Sequence, residues 1–262
     1  MHPMLNIAVR AARRAGDVIV RNIDRAPDLQ IEVKGRRDYV SSVDRDAEHA
    51  IIETLLKAYP DHQILAEESG SAGQSDHVWI IDPLDGTTNF LHGYPQFAVS
   101  IALTVRGVLD QAVIFDPLRS ELFTASRGGG AMLNNRRIRV SKTRQFDQSL
   151  LATGFPFRDE RLIAPYLPSF GELMSQTSGI RRGGAASLDL AYVACGRLDG
   201  YWEFRLKPWD IAAGALLVLE AGGIVDDPQS TSKYLESGNV VAGNPQIFRH
   251  LLTTLHRHPL PG

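Results

Sequence analysis

The stretch Trp79-Ile80-Ile81-Asp82-Pro83-Leu84-Asp85-Gly86-Thr87-Thr88-Asn89-Phe90 constrains this chain more than any other. An apolar strand runs into Asp82. Pro83 is expected to end regular strand pairing, and Gly86 permits a tight backbone turn. The segment therefore predicts two carboxylates at a strand end beside a loop. After Gly86 the amides of Thr87 and Thr88 can point outward together, a nest suited to an anion, above all if it opens a helical turn. Two carboxylates hold a hard divalent cation through oxygen, and adjacent amides hold a phosphate. Mg²⁺ prefers a few carboxylates, waters and phosphate oxygens to a complete protein cage. Two such ions can clamp both the attacking water and the leaving oxygen of an in-line displacement.

Two more acidic sites stand at predicted element ends. Glu67-Glu68-Ser69-Gly70 follows a predicted strand at Gln63 to Ala66, and Trp209-Asp210 precedes a predicted helix starting at Ile211. Each has a plainer reading. Asp210 equally suits a helix N-cap, Glu67 and Glu68 a solvated loop, and Asp82 and Asp85 turn caps. Spacing alone does not make them converge. Other phosphate and metal chemistries fit less well. There is no Cys cluster and no Walker A stretch, and His256-x-His258 reads as solvated. Gly128-Gly129-Gly130 reads as a turn. Gly183-Gly184-Ala185-Ala186-Ser187 precedes a helix and either brings backbone close to a ligand or packs tightly.

The surrounding pattern alternates helix and strand. Amphipathic helices are predicted over Met4 to Arg21 and Asp44 to Tyr59, with an antiparallel meander from Phe97 to Ala125. From about Ser149, strands and helices alternate: Leu150 to Thr153, Tyr166 to Gln176, Ala186 to Ala194, Gly200 to Glu203, Ile211 to Ala221, Ile224 to Asp226, Asn239 to Ala242 and Pro245 to Leu255. Helices interleaved with one antiparallel and one mixed sheet predict layered α+β packing. The 262 residues suit a single domain with halves at 1–145 and 146–262. A formal net charge of -2 gives no global argument for nucleic acid or a membrane surface. No apolar run reaches the ~20 residues of a membrane span. One cysteine, Cys195, and an N-terminus without a signal pattern fit a reducing cytoplasm.

The run Asp82 to Phe90 resembles the first signature of the inositol monophosphatase family. Trp209-Asp210-Ile211-Ala212-Ala213-Gly214, continuing to Glu220-Ala221-Gly222-Gly223, resembles the second, and Glu67-Glu68-Ser69 matches the acidic motif before them. The opening Met-His-Pro-Met-Leu-Asn-Ile and Ala152-Thr153-Gly154-Phe155-Pro156-Phe157 look like the bacterial extragenic-suppressor type. The resemblance implies a layered αβαβα sandwich, two or three Mg²⁺ ions, lithium sensitivity, usually a homodimer, and hydrolysis of a small phosphorylated polyol such as inositol 1-phosphate by a metal-activated water. By matching positions it implies metal ligands Glu67, Asp82, Asp85, Asp210 and the Leu84 carbonyl. Thr87 would position the water, supported by Asp44. The Gly86 and Thr87 amides would hold phosphate, while Glu203, Gly184, Ala186 and Asp210 would line the polyol side. Lys34 would sit in a mobile loop near the metals.

Read without the family, Gly35-Arg36-Arg37-Asp38 suits a flexible lid or an ordinary surface loop. Asp44 equally suits an N-cap, and Glu203 an ion-pair partner for Arg205. Arg205 and Lys207 bear on the outer pocket. Two other functions compete. One is a related fructose-bisphosphate or nucleotide phosphatase. The other follows from the suppressor-type resemblance: a partner of NusA and RNA polymerase in transcription antitermination and ribosome biogenesis. For that role Arg10-Arg13-Arg14, Arg136-Arg137-Arg139 and Arg181-Arg182 would supply a basic, RNA-binding contact surface, or else a solvated face.

Overall fold

A computed structural model of the chain describes residues 2–24, 31–35, 38–157 and 159–260, with 31–35 and 38–40 described by backbone alone. Its helices are α1 (Pro3–Asn22), α2 (Ser42–Ala58), α3 (Thr87–Leu91), α4 (Ile163–Gln176), α5 (Ala186–Ala194), α6 (Pro208–Glu220), α7 (Tyr234–Ser237) and α8 (Pro245–Arg257). The first strands are β1 (Ile31–Gly35) and β2 (Asp38–Ser41), an antiparallel pair. Then come β3 (Gln63–Ala66), β4 (Gly70–Ala72), β5 (His77–Asp85), β6 (Ala98–Val105), β7 (Val108–Asp116), β8 (Glu121–Ser126), β9 (Gly130–Leu133) and β10 (Arg136–Arg137). The last are β11 (Leu150–Thr153), β12 (Gly179–Arg181), β13 (Gly200–Glu203), β14 (Ile224–Asp226) and β15 (Val240–Gly243).

An eight-stranded sheet has the order β10-β9-β8-β7-β6-β5-β3-β4, and a five-stranded sheet the order β12-β11-β13-β15-β14. Helices α1 and α2 cover the outer face of the large sheet. Helices α5 and α6 lie between the two sheets, and α4 and α8 close the far side. The result is the layered α+β packing expected from the pattern, in the αβαβα order that the resemblance implies. The central core joins Ala102, Ile114 and Phe123 of the large sheet to Leu190, Leu216, Tyr201 and Ala242 beyond residue 145.

The sequence explains these layers. α6 buries every residue from Ile211 to Val218 because sheets press on it from both sides, so it is apolar all round. α1 instead shows one buried face, rich in Ala, that lets it approach the sheet closely. A methyl added at Gly16 would stand 2.6 Å from the Phe115 ring. α2 starts in a capping box, where Ser41 is the N-cap and Asp44 is N3. Asp44 is thus not the N-cap itself.

Several sequence expectations shift here. Pro83 does not end β5. The strand continues to Asp85 through a register shift between Asp82 and Asp85, so the proline sits in a bulge where its missing N–H costs no ladder bond. α6 begins three residues before Ile211, with Pro208 at N1, where a proline is favoured. Lys34, expected in a loop, lies in β1, at the register shift between Val33 and Gly35 where β1 pairs with β2; Arg36 and Arg37 lie outside the described residues. His258 is not simply solvated: its Nε2 lies 2.7 Å from a Glu172 carboxylate oxygen.

Candidate active site

Strand register builds the acidic floor. β3 runs parallel to β5 with Ala66 opposite Ile81, so the next residue of each strand, Glu67 and Asp82, emerges at the same sheet end. The Glu67 amide fixes this by donating to the Ile81 carbonyl at 3.1 Å. On the other side of β5, Asp82 pairs with Ser100 of β6, whose hydroxyl donates to the Trp209 carbonyl at 3.2 Å. That contact sets the first turn of α6, and hence Asp210, over Asp82. Asp210 occupies N3 of α6, not the N-cap, and its Oδ2 accepts from the Lys207 amide at 2.7 Å.

Carboxylate oxygens of Asp82, Asp85 and Asp210 all lie within 4.8 Å of one another. Glu67 lines the same cleft as a fourth acidic group. Asp82 and Asp85 are only 1% and 8% exposed. Burial pushes Asp82 well above the ordinary carboxylate range, with repulsion from Glu67, Asp85 and Asp210 adding to it. Asp210 is raised in the same direction by burial and by Asp85. Burial also pushes Asp85 up, to about 6, against hydrogen bonds from Ser187 that favour its charged form. Several carboxylates stripped of water and facing one another are costly unless a cation joins them. The donors are all oxygen, so the fit is to a hard divalent ion.

The loop after the bulge supplies the remaining parts. The Leu84 amide donates to Asp82 Oδ1 at 3.0 Å, folding the backbone over the carboxylate. Gly86 holds φ at 95°, and a Cβ there would lie 2.9 Å from the Gln96 carbonyl oxygen, so only glycine fits. It opens the short helix α3. Thr87 Oγ1 lies 2.9 Å from Asp44 Oδ1 and 3.1 Å from the Leu84 carbonyl, and its one proton serves either. Asp44 Oδ2 is held by the Ser41 amide and hydroxyl at 2.8 and 2.6 Å.

The second half of the chain closes the cleft. Asn89 Nδ2 donates to the Gln96 and Gly183 carbonyls at 2.6 and 3.0 Å, tying α3 to the Gly183-Gly184 turn. Glu203 ends β13, receives the Tyr201 hydroxyl, and packs on Gly154, where any Cβ would overlap its carboxylate. Glu67, Asp82, Leu84, Asp85, Gly86, Thr87, Gly184, Ala186, Glu203 and Asp210 thus line one cleft of about 590 Å³. Asp44 stands behind Thr87. Lys34 is described by backbone alone.

The sequence shows Ser187 only as the end of a glycine-rich turn and does not single out Glu48. Ser187 donates from its amide and its hydroxyl to Asp85 Oδ2, at 2.7 and 2.5 Å. The N-terminus of α5 therefore serves a carboxylate of the chain itself. Glu48, only 3% exposed, accepts from the amides of Glu68 and Ser69 at 2.9 and 2.8 Å and so fixes the loop that carries Glu67. A signal for Glu48 was present: Asp44 and Glu48 fall on the same helical stripe as Ala47, Ile51 and Leu55.

A family model described as the inositol monophosphatase family matches residues 1–260. The chain belongs to the inositol monophosphatase family. Among members of that family, it is 55% identical to a "Nus factor SuhB" of Pseudomonas aeruginosa, over 100% of this chain and 98% of the relative. It is 51% identical to the protein of the same name from Escherichia coli K12, covering 97% and 96%. A crystal structure of the extragenic suppressor protein suhB from Bartonella henselae superposes with a TM-score of 0.94 at 47% identity, over 97% of this chain and 98% of that one. An inositol monophosphatase from Anabaena gives 0.86 at 42%, over 97% and 96%. The family is metal-dependent, and the acidic floor of this chain suits that chemistry. Among the described residues no helix is long and apolar enough to cross a membrane.

Proposed function

We propose that this chain hydrolyses a phosphate monoester of a small polyol, with inositol 1-phosphate as the simplest such substrate, and that Mg²⁺ is the ion. The observation carrying this reading is the convergence of Asp82, Asp85 and Asp210 within 4.8 Å on the floor of a cleft large enough for a sugar-sized ligand. Glu67, Asp82, Asp85, Asp210 and the Leu84 carbonyl would hold two or three ions. When bound, these ions neutralise phosphate oxygens and lower the pKa of water.

The chain's own groups do the rest. With its proton on Asp44 Oδ1 or the Leu84 carbonyl, Thr87 Oγ1 accepts from a water and so aims it at phosphorus. The Gly86 and Thr87 amides hold the phosphate, and the positive φ of Gly86 sets their direction. Glu203 accepts from a polyol hydroxyl, and Gly184 and Ala186 allow close approach. Asp210 would contact ion and polyol together. Positioning and electrostatics carry this reaction, since phosphoryl transfer needs little covalent help. Lithium sensitivity and a homodimeric state belong to the same reading. A phosphate-release panel tests it, with inositol 1-phosphate, fructose bisphosphate and a 3′-phosphonucleotide; preference for either of the latter two replaces inositol as the substrate.

A second role is favoured by the name shared by the bacterial relatives, Nus factor. In that role the chain contacts NusA and RNA polymerase during antitermination. Arg136, Arg137 and Arg139 are exposed at the edge strand β10 and beyond it, in keeping with such a contact. Complementation of a depleted strain with Asp85→Asn separates the roles. Rescue by that variant, shown inactive in vitro, makes binding the essential task; failure of a stably folded variant makes it catalysis.

A further inference from the structure

Glu203 and Asp210 are joined by Phe204-Arg205-Leu206-Lys207-Pro208-Trp209, and this connection breaks two local rules at once. Arg205 holds φ at 62°, in the left-handed region that favours glycine. Lys207 occupies the N-cap of α6, where a cation opposes the helix dipole and where Ser, Thr, Asp or Asn is the ordinary choice. Both departures place an exposed cation on the cleft. The loop is braced from behind. The Arg205 amide donates to Asn239 Oδ1 at 3.2 Å, and the Leu206 amide to the Gly238 carbonyl at 2.8 Å. A third cation, Arg182, lines the same cleft, its guanidinium 5.8 and 5.2 Å from the rings of Phe155 and Phe157.

Among the described residues no carboxylate stands within ion-pair distance of any of these three cations. The rim carboxylates are otherwise engaged. Asp159 is clasped by Arg161 at 2.9 and 2.7 Å, and Glu203 receives the Tyr201 hydroxyl. A monophosphate seated on the acidic floor would leave all three cations facing a neutral polyol. Local rules are broken where function requires it. Two guanidinium forks and an ammonium form a phosphate-binding set.

We propose that Arg182, Arg205 and Lys207 form an anion subsite at the cleft mouth, so that the preferred substrate is a polyol carrying a second phosphate besides the one removed. This deepens the phosphatase reading and rests on it.

The test compares inositol 1-phosphate with inositol 1,4-bisphosphate in the wild type and in the double variant R205G/K207Q. Glycine is at home at φ 62°, and Gln keeps the backbone N–H that caps Asp210, so the fold is spared. Two quantities are read: KM and kcat for phosphate release in Mg²⁺, and Kd by calorimetry with Ca²⁺ in its place. The wild type is expected to prefer the bisphosphate by roughly 10- to 100-fold in KM and in Kd, the scale of one or two charge-assisted contacts. In the variant this ratio falls to about one, through KM rather than kcat. Equal values for the two ligands in the wild type, or an equal loss for both in the variant, overturn the subsite. Phosphate release without any preference overturns the subsite alone. No release from either ligand, with the Kd ratio still dependent on the rim, overturns the phosphatase reading alone. No binding of either ligand overturns both.

Discussion

Replacing Asp85 by Asn should make the metal-free protein more stable while disabling it. Asp85 is buried, accepts two hydrogen bonds from Ser187, and faces Asp82 and Asp210. Its carboxyl is pushed from the ordinary 3.8 up to about 6, first by burial. A carboxyl whose folded value is raised favours the folded state only at low pH. That stability is fully present below the unfolded value and is lost as pH rises through about 6. At pH 7.5 the shift costs about 3 kcal/mol relative to acid. Asn removes that cost: its oxygen still accepts from Ser187, and its amide can donate to a neighbouring carboxylate. For a chain of this size 3 kcal/mol corresponds to roughly 6–10 °C in Tm. Differential scanning calorimetry in EDTA at pH 7.5 should show that rise, and the gain should vanish near pH 4. In Mg²⁺ the order should reverse, because the wild type gains binding energy that the variant lacks, and turnover should drop by roughly 10²-fold or more. A metal-free Asp85→Asn protein that melts below the wild type at pH 7.5 would refute the claim that the buried Asp85 charge destabilises the empty site. Near-wild-type turnover at modest Mg²⁺ would refute the claim that Asp85 is a ligand.

Chelation and three further substitutions give separate checks. For the wild type, adding millimolar Mg²⁺ should raise Tm at pH 7.5 and do little at pH 4, where the floor is protonated; an equal rise at both values contradicts the ligand set. Thr87→Val removes the hydroxyl between Asp44 and the Leu84 carbonyl, and steady-state kinetics should show kcat down by roughly 10²-fold with KM little changed. Glu48→Gln turns one accepting oxygen into an N–H facing the amide of Glu68 or Ser69. Denaturant melts should record a loss of about 1–3 kcal/mol, and titration a weaker Mg²⁺ affinity. Gly86→Ala meets both a φ of 95° and the Gln96 carbonyl, so thermal melts should show a destabilisation of about 2–4 kcal/mol.

The layered fold was legible because its signals are local and repeated. The helical stripes of α1 and α2 and the runs at Gln63 to Ala66, Ala186 to Ala194 and Gly200 to Glu203 each report which face meets a core. Short elements were missed. α3, β4, β9, β10 and β12 are five residues or fewer, too short for a periodicity to emerge, and the β1–β2 hairpin was read as a loop. The bulge at Pro83 was missed because proline argues against pairing only while the register is regular.

By itself the sequence determined which side chains have metal and phosphate chemistry available, and that each stands at the end of an element. It also determined that α6 must be buried all round, since no residue from Ile211 to Val218 is suited to water. Only the tertiary structure decided that these ends meet. The parallel register of β3 on β5 brings Glu67 to Asp82, and the Ser100 contact with Trp209 swings Asp210 across a sequence separation of more than a hundred residues. Convergence depends on register and on layer stacking, which are properties of pairs of elements, and a single strand or helix carries no record of its partner's alignment. For the same reason the partners of Ser187 and Glu48 are fixed only in the folded molecule, where these residues hold in place the carboxylate and the loop on which the cleft is built.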